Sequence, residues 1–85
     1  MTNMDLLDEP IRVVVNHDQA GQITPQRLVW REQEYTIISV GRQWDEPAGR
    51  YVLVEAAGGT RFELQLRRED LAWRMRRVWW GQTFV

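Results

Sequence analysis

The sequence contains no cysteine and no lysine, and it has a single histidine, His17, and a single serine, Ser39. Without cysteine there is no disulfide scaffold, and one histidine alone cannot supply the nitrogen and sulfur ligands of a structural zinc site. Few side chains remain that could serve as a nucleophile, because Ser39 lies in a predicted strand and His17 is remote from it in sequence. We therefore assign no catalytic residue, no metal ligand and no cofactor.

Long apolar runs and a strong charge of either sign are also missing. No stretch approaches the roughly 18 apolar residues of a membrane helix. The N-terminus carries Asp5, Asp8 and Glu9 where a secretory signal would be basic. We expect a cytoplasmic protein without a membrane partner. The formal net charge of −1 gives no global attraction to nucleic acid, so any polyanion site must be local.

The chain has 85 residues, a length that fits one domain, and five of them are tryptophan. Each tryptophan ring can bury on the order of 200 Å², which helps a short chain to build a core. We expect residues 1–9 to form a tail, either disordered or with one short helical turn that Pro10 ends. Residues 10–85 are expected to form a single β domain.

Alternating apolar and polar residues indicate strands through most of the chain. Between positions 61 and 67 the even-numbered residues are Phe62, Leu64 and Leu66, and the odd-numbered ones are polar, which predicts one core face and one face in water. Turn residues separate about six such segments, and no amphipathic helix is evident. The predicted fold is all-β, a single antiparallel meander of about six strands curled into a small half-open barrel.

The turn before residue 61 predicts a register for that hairpin. Gly58-Gly59 suits a two-residue turn, which places Leu53 opposite Leu64. Val52 and Val54 then lie on the outer face of the sheet.

The neighbouring hairpins are less sharply defined. A turn at Glu32-Gln33 would place Trp30 across from Tyr35, but these turn residues favour a bulge or a longer loop. A loop over residues 67–70 would place Phe62 across from Met75, and a slip by two residues would keep the same faces.

Arginine and tryptophan are interleaved in the C-terminal third, a combination typical of single-strand nucleic-acid surfaces. In the predicted register Arg61 faces Arg76, and like charges in that position favour an anion between them. The alternative is a hydrated face on which Arg74 pairs with Glu63. The candidate binding surface comprises Arg61, Arg74, Arg76, Arg77, Trp79 and Trp80.

Trp79 and Trp80 are adjacent, so in a strand they point to opposite faces. One of them can belong to the core, and the other needs a cover. That cover is either the N-terminal pair Leu6 and Leu7 or a partner chain, since tryptophan is enriched at interface hot spots.

Several segments together resemble a known family: Glu9-Pro10-Ile11, Leu28-Val29-Trp30-Arg31, Tyr35-Thr36-Ile37, Trp44, Arg50-Tyr51, Val54-Glu55-Ala56, Phe62-Glu63-Leu64, Trp73 and Arg77-Val78-Trp79. They are similar to a small bacterial domain family of uncharacterised function, made of short Trp/Arg-rich all-β proteins. The resemblance spans nearly the whole chain after the tail, and it implies an accessory role in translesion DNA synthesis and no catalytic residue. Glu32-Gln33 departs from the Gly-Arg that family members usually carry there.

The leading hypothesis is a non-catalytic protein-interaction or accessory module of DNA metabolism, with a protein partner or self-association. The alternative is direct binding of single-stranded nucleic acid through the arginine and tryptophan side chains. A small hydrolase-type enzyme ranks third.

Overall fold

The computed structural model describes residues 4–81, which form seven strands in one antiparallel sheet. The strands are β1 (Met4–Pro10), β2 (Arg12–His17), β3 (Ile23–Trp30), β4 (Gln33–Glu46), β5 (Gly49–Ala56), β6 (Arg61–Arg67) and β7 (Trp73–Trp79). Their order across the sheet is β1-β7-β6-β5-β4-β3-β2, and the sheet is not closed. The predicted all-β antiparallel meander is confirmed, with seven strands instead of about six.

The additional strand is the N-terminal one, where the sequence predicted a tail over residues 1–9. Residues 1–3 lie outside the described part of the chain, but Met4–Pro10 is strand β1 and pairs antiparallel with β7. Neither a helical turn nor a free tail is found between residues 4 and 9. The local sequence gave little sign of this strand because its partners are distant, with Arg74 donating to Asp8 across 66 positions of the chain.

β1 and β2 follow each other with only Ile11 between them, yet they are the two opposite edges of the sheet. The sheet must therefore curl until its edges approach each other. At Ile11 the chain stops pairing with β7 and begins to pair with β3. The backbone N–H of Ile11 donates to the carbonyl oxygen of Trp73 at 3.3 Å.

The long strand β4 completes the curl. It pairs with β3 as far as Thr36 and with β5 from Ile37 onwards, with irregular register after Ile37 and again after Val40. Such irregularities bend a strand and increase its twist. The core lies inside the curl and consists of Ile11, Leu28, Trp30, Val52, Val54, Ala56, Phe62, Leu64, Met75 and Val78.

The β5–β6 hairpin differs from the prediction by one residue. Val52, not Leu53, lies opposite Leu64. The loop has three residues, because the N–H of Ala56 donates to the carbonyl of Thr60 at 2.8 Å. Val52 and Val54 are therefore core residues, each 3% exposed, and their predicted place on the outer face is wrong.

The faces of β6 itself are largely as predicted. Phe62 and Leu64 are fully buried in the core. The opposite face does not meet water as expected, since Glu63 is only 9% exposed and Gln65 only 4%. The middle of the outer face of β6, at Glu63 and Gln65, is therefore covered as well.

The β3–β4 hairpin turns one residue earlier than predicted, which moves the partner of Trp30 by two residues. Trp30 lies opposite Gln33, and the two turn residues are Arg31 and Glu32, with φ of 53° and 65°. The predicted bulge or longer loop is wrong, because this is a two-residue turn of the kind that glycine or asparagine usually occupies. Arg31 is held there by its interactions with β1, since its Nε and Nη2 donate to the carboxylate of Glu9 at 3.0 and 2.7 Å.

The β6–β7 hairpin shows the slip by two residues, followed by a bulge. Leu64 lies opposite Met75, and Arg76 is an extra residue on β7, so Phe62 lies opposite Val78. Beyond the bulge, Arg61 faces Trp79 and not Arg76. The predicted like-charge pair is therefore wrong, and it no longer supports an anion site.

Candidate functional site

The six residues of the predicted binding surface lie close together along β7. Arg74, Arg76, Arg77 and Trp79 are in β7, Trp80 follows it, and Arg61 begins the neighbouring strand β6. We call this set the arginine–tryptophan surface. Met75 and Val78 point into the core, which leaves Arg74, Arg77 and Trp79 on the outer face of the sheet.

Asp8 of β1 forms ion pairs with two of these arginines. Its Oδ1 accepts a hydrogen bond from Arg74 Nε at 2.9 Å and lies 3.0 Å from Arg76 Nη1. Arg74 Nη2 also donates to the backbone carbonyl of Asp8 at 2.7 Å. The hydrogen bond from Arg74 is the main reason that the pKa of Asp8 lies below its usual range. The pairing of Arg74 with Glu63, expected for a hydrated face, is replaced by this contact.

Arg77 instead faces Glu63 across the β6–β7 pair, with Arg77 Nε 3.7 Å from Glu63 Oε2. The side chain of Glu63 is only 11% exposed. Burial disfavours its charged form more than Arg77 favours it, so the pKa of Glu63 is raised. Glu63 thus lies in the floor of a polar groove of about 460 Å³ that Asp8, Tyr51 and Arg76 also line.

Arg61 has the loosest ion pair of the surface. Its Nε lies 4.0 Å from Glu55 Oε1, and the two side chains are 71% and 40% exposed. In this geometry most of the five donors of the guanidinium remain available to a ligand. The ion pairs of the surface are therefore weakest at the end of the sheet where Arg61 faces Trp79.

We expected Trp79 or Trp80 to belong to the core. The core residue at this end of β7 is instead Val78. The bulge at Arg76 is the physical reason, since it shifts the alternation of β7 by one residue. Trp79 is half-buried on the outer face.

Trp80 closes one end of the curled sheet. Its ring lies 5.6 Å from that of Trp30, and its Nε1 donates to Asp5 Oδ2 at 2.9 Å. A core tryptophan and an acid of β1 therefore cover it. Of the N-terminal pair considered as a cover, Leu6 is 70% exposed and Leu7 packs against the core. Trp80 remains 40% exposed.

The acids of β1 divide between the two faces of the strand. On one face Asp5 and Glu9 accept hydrogen bonds from the indole N–H groups of Trp80 and Trp30, both at 2.9 Å. On the other face Asp8 binds Arg74 and Arg76. One short acidic strand therefore holds both the tryptophan and the arginine components of the surface.

Beside the tryptophans the outer face forms a groove of about 670 Å³, which we call the tryptophan groove. Leu53 and Trp79 supply its apolar lining, and Glu55 and Arg61 supply charge. Gly81 closes the end of the groove against the β5–β6 hairpin. A Cβ atom on Gly81 would lie 2.7 Å from the carbonyl oxygen of Gly58, so only glycine permits this approach.

Sequence reasoning missed the contribution of β5 to this groove. Leu53 was assigned to the core face by the one-residue error in the β5–β6 register. The signal that distinguishes the two registers is Ala57, which belongs to the loop and makes it three residues long.

The remaining catalytic candidates do not assemble into a site. His17 is exposed at the end of β2. A shallow groove near Asp45 is lined by Gln43 and Arg50 but not by His17, and Arg50 binds the carboxylate of Asp45 at 3.1 and 3.3 Å. Among residues 4–81 no three His, Asp or Glu side chains lie close enough together to hold a metal ion.

No protein-family model matches the chain, and no curated protein or solved structure matches it either. Within the same described span there is no helix long and apolar enough to cross a membrane.

Proposed function

We propose that the protein is a non-catalytic binding module that holds a partner protein in the tryptophan groove. The observation that carries this proposal is that Trp79 of β7 and Leu53 of β5 line one groove, together with the exposed pair Glu55 and Arg61. An apolar floor with a polar rim is the usual anatomy of a protein interface, and tryptophan is prominent among interface hot spots.

The charges of the arginine–tryptophan surface favour a protein partner over a polyanion. Arg74, Arg76 and Arg77 each lie within 3.7 Å of a carboxylate. A nucleic-acid phosphate would have to compete with those carboxylates for every guanidinium. A protein partner can dock beside them and leave the ion pairs intact.

The groove also suggests the chemistry of the partner segment. Leu53 and Trp79 provide contact area for one aliphatic or aromatic side chain. Arg61 is 71% exposed and can donate to a carboxylate next to that anchor. We infer that the partner contributes an extended peptide with an apolar anchor flanked by Asp or Glu.

The family resemblance is what favours a partner in DNA metabolism. Proteins of that kind are linked to accessory factors of translesion synthesis, so a component of that machinery is the first partner to test. This assignment is part of the proposal and rests on the resemblance alone.

Direct binding of single-stranded nucleic acid is the second candidate. It is favoured by one observation, the cross-strand pairing of Arg61 with Trp79, which places a loosely paired guanidinium beside a ring on which a base could stack. It differs from protein binding in its salt dependence, because phosphate neutralisation makes affinity fall steeply as salt rises.

Selection from a displayed peptide library tests the leading proposal. We expect enriched peptides to share an apolar residue next to an acid and to lose binding to Trp79→Ala. Leu71→Ala is the matched control, because Leu71 is 72% exposed in the loop before β7 and does not line the groove. Peptides that bind the wild type and Trp79→Ala equally well would contradict the proposal.

A further inference from the structure

The two edge strands of the sheet are protected to very different degrees. β1 carries Asp5, Asp8 and Glu9, has an irregularity in its pairing between Leu6 and Glu9, and ends on Pro10. Charges, bulges and proline are the features by which proteins prevent an exposed edge from pairing with another strand.

β2, the opposite edge, has fewer of these features, since its one charged residue is Arg12 at the start of the strand. Its sequence is Arg-Val-Val-Val-Asn-His, without an acid or a proline. The bulge in the β2–β3 pair adds Gln26 to β3, so β2 itself runs uninterrupted from Arg12 to His17. Val14, at the middle of the strand, is 47% exposed. Such an edge presents a row of backbone donors and acceptors that can extend the sheet.

We propose that β2 pairs antiparallel with β2 of a second copy of this chain, centred on Val14. This register is self-complementary. It places Val13 opposite the partner's Val15, Val14 opposite the partner's Val14, and Arg12 opposite the partner's Asn16. No like charges face each other, and the contact has the two-fold symmetry of a homodimer.

The surface next to β2 offers apolar area for such a contact. A groove of about 650 Å³ begins at this edge and is lined by Ile11, Val13, Leu28 and Trp73, among others. It lies beside Ile11, which joins the two edge strands of the open sheet and whose N–H donates to the carbonyl of Trp73. A second copy would extend the sheet here and cover valine side chains that a single chain leaves in water. This interface is separate from the tryptophan groove.

Because the chain has no cysteine, single cysteines give a clean test of the register. Directly opposite residues in an antiparallel pair have Cα atoms about 4.5 to 5.5 Å apart, within the range of about 4.4 to 6.8 Å that a disulfide spans. Val14→Cys is therefore expected to form a cross-linked dimer under mild oxidation. Ile38→Cys is the matched control, since Ile38 is 61% exposed in β4, which is not an edge strand.

A mixed experiment checks the alignment. Arg12→Cys and Asn16→Cys should cross-link to each other when mixed. Neither should cross-link efficiently to itself, because its two copies would be offset by roughly 13 Å along the strands.

Sedimentation of the native protein over a concentration series provides the measurement without cross-linking. We expect a monomer–dimer equilibrium that Val14→Lys weakens about tenfold or more, since two lysines would then face each other. Mixing Val14→Lys with Val14→Glu should restore association, which also shows that both variants fold. A wild type that stays monomeric throughout the series, or a Val14→Cys that cross-links no faster than Ile38→Cys, would overturn the proposal.

Discussion

Glu9 and Arg31 form a two-point contact in which Glu9 Oε1 accepts from Arg31 Nε at 3.0 Å and Glu9 Oε2 accepts from Nη2 at 2.7 Å. The same guanidinium lies 4.5 Å from the ring centre of Trp30, whose N–H donates to Glu9 as well. The contact joins β1 to the tip of the β3–β4 hairpin. It therefore connects the two halves of the curled sheet at the end where Trp80 lies.

This contact makes stability depend on pH in a defined direction. The hydrogen bond from Arg31, followed by that from Trp30, lowers the pKa of Glu9 from 4.5 to about 2. A pKa that is depressed on folding contributes stability above the unfolded value, and that stability is lost as the pH falls from 4.5 towards 2. We predict that Glu9→Gln melts at a lower temperature than the wild type at neutral pH, and that the difference shrinks through this window.

Circular dichroism melts over a pH series measure this difference. Glu32→Gln is the control, because it removes the same charge from an exposed side chain of the same hairpin. A melting difference for Glu9→Gln that does not change with pH would argue against the contact.

Glu63 should behave in the opposite sense. Its pKa is raised, primarily because burial disfavours the charged form. A carboxyl of this kind loses stability as the pH rises from its unfolded value through its folded value, so the charged side chain is a cost at neutral pH. Glu63→Gln is predicted to raise the melting temperature at neutral pH. A lower melting temperature would mean that the ion pair with Arg77 outweighs the cost of burial.

The register of β5 predicts which of two neighbouring residues supports the core. Val54 is 3% exposed and faces inward, whereas Leu53 is half-buried on the outer face. We predict that Val54→Ala costs more than about 1 kcal/mol of unfolding free energy, as expected for a cavity in a packed core. Leu53→Ala should cost less although it removes more atoms. Urea unfolding measures both values, and the reverse order would contradict the register.

Asp8 is predicted to limit the affinity of the arginine–tryptophan surface for nucleic acid. Asp8→Asn removes the carboxylate shared by Arg74 and Arg76 and leaves two guanidinium groups uncompensated. Fluorescence anisotropy with single-stranded DNA at low salt should then show tighter binding than for the wild type. Glu69→Gln changes the net charge equally in an exposed loop, so equal gains for both variants would show only a general charge effect.

The faces of the strands could be predicted from the sequence more reliably than their registers. In β6 the alternation of Phe62 and Leu64 with polar residues determined the core face correctly. The pairing with β5 failed because loop length decides register, and Gly58-Gly59 did not reveal that Ala57 also belongs to the loop. A one-residue error of this kind exchanges every side chain between the two faces.

The organisation of the candidate site depended on contacts that are far apart in the chain. The sequence placed arginine and tryptophan near one another on β7, but it gave no sign that Asp5 would bind Trp80 across 75 positions. Apolar and polar residues do not alternate regularly in Met4–Pro10, so strand β1 could not be predicted from the local sequence pattern. The bulge at Arg76 was equally hidden, and it decided that Val78 enters the core in place of a tryptophan.

The most direct test of partner binding at the tryptophan groove is a two-dimensional NMR titration of labelled protein. A peptide with an apolar anchor next to an acid would be compared with short single-stranded and duplex DNA, each at low and moderate salt. We predict shifts at the Trp79 indole, Leu53 and Arg61 that the peptide produces at both salt concentrations, with little response to DNA. Salt-sensitive shifts with DNA at Arg74 and Arg76, and none in the groove with peptide, would contradict the account.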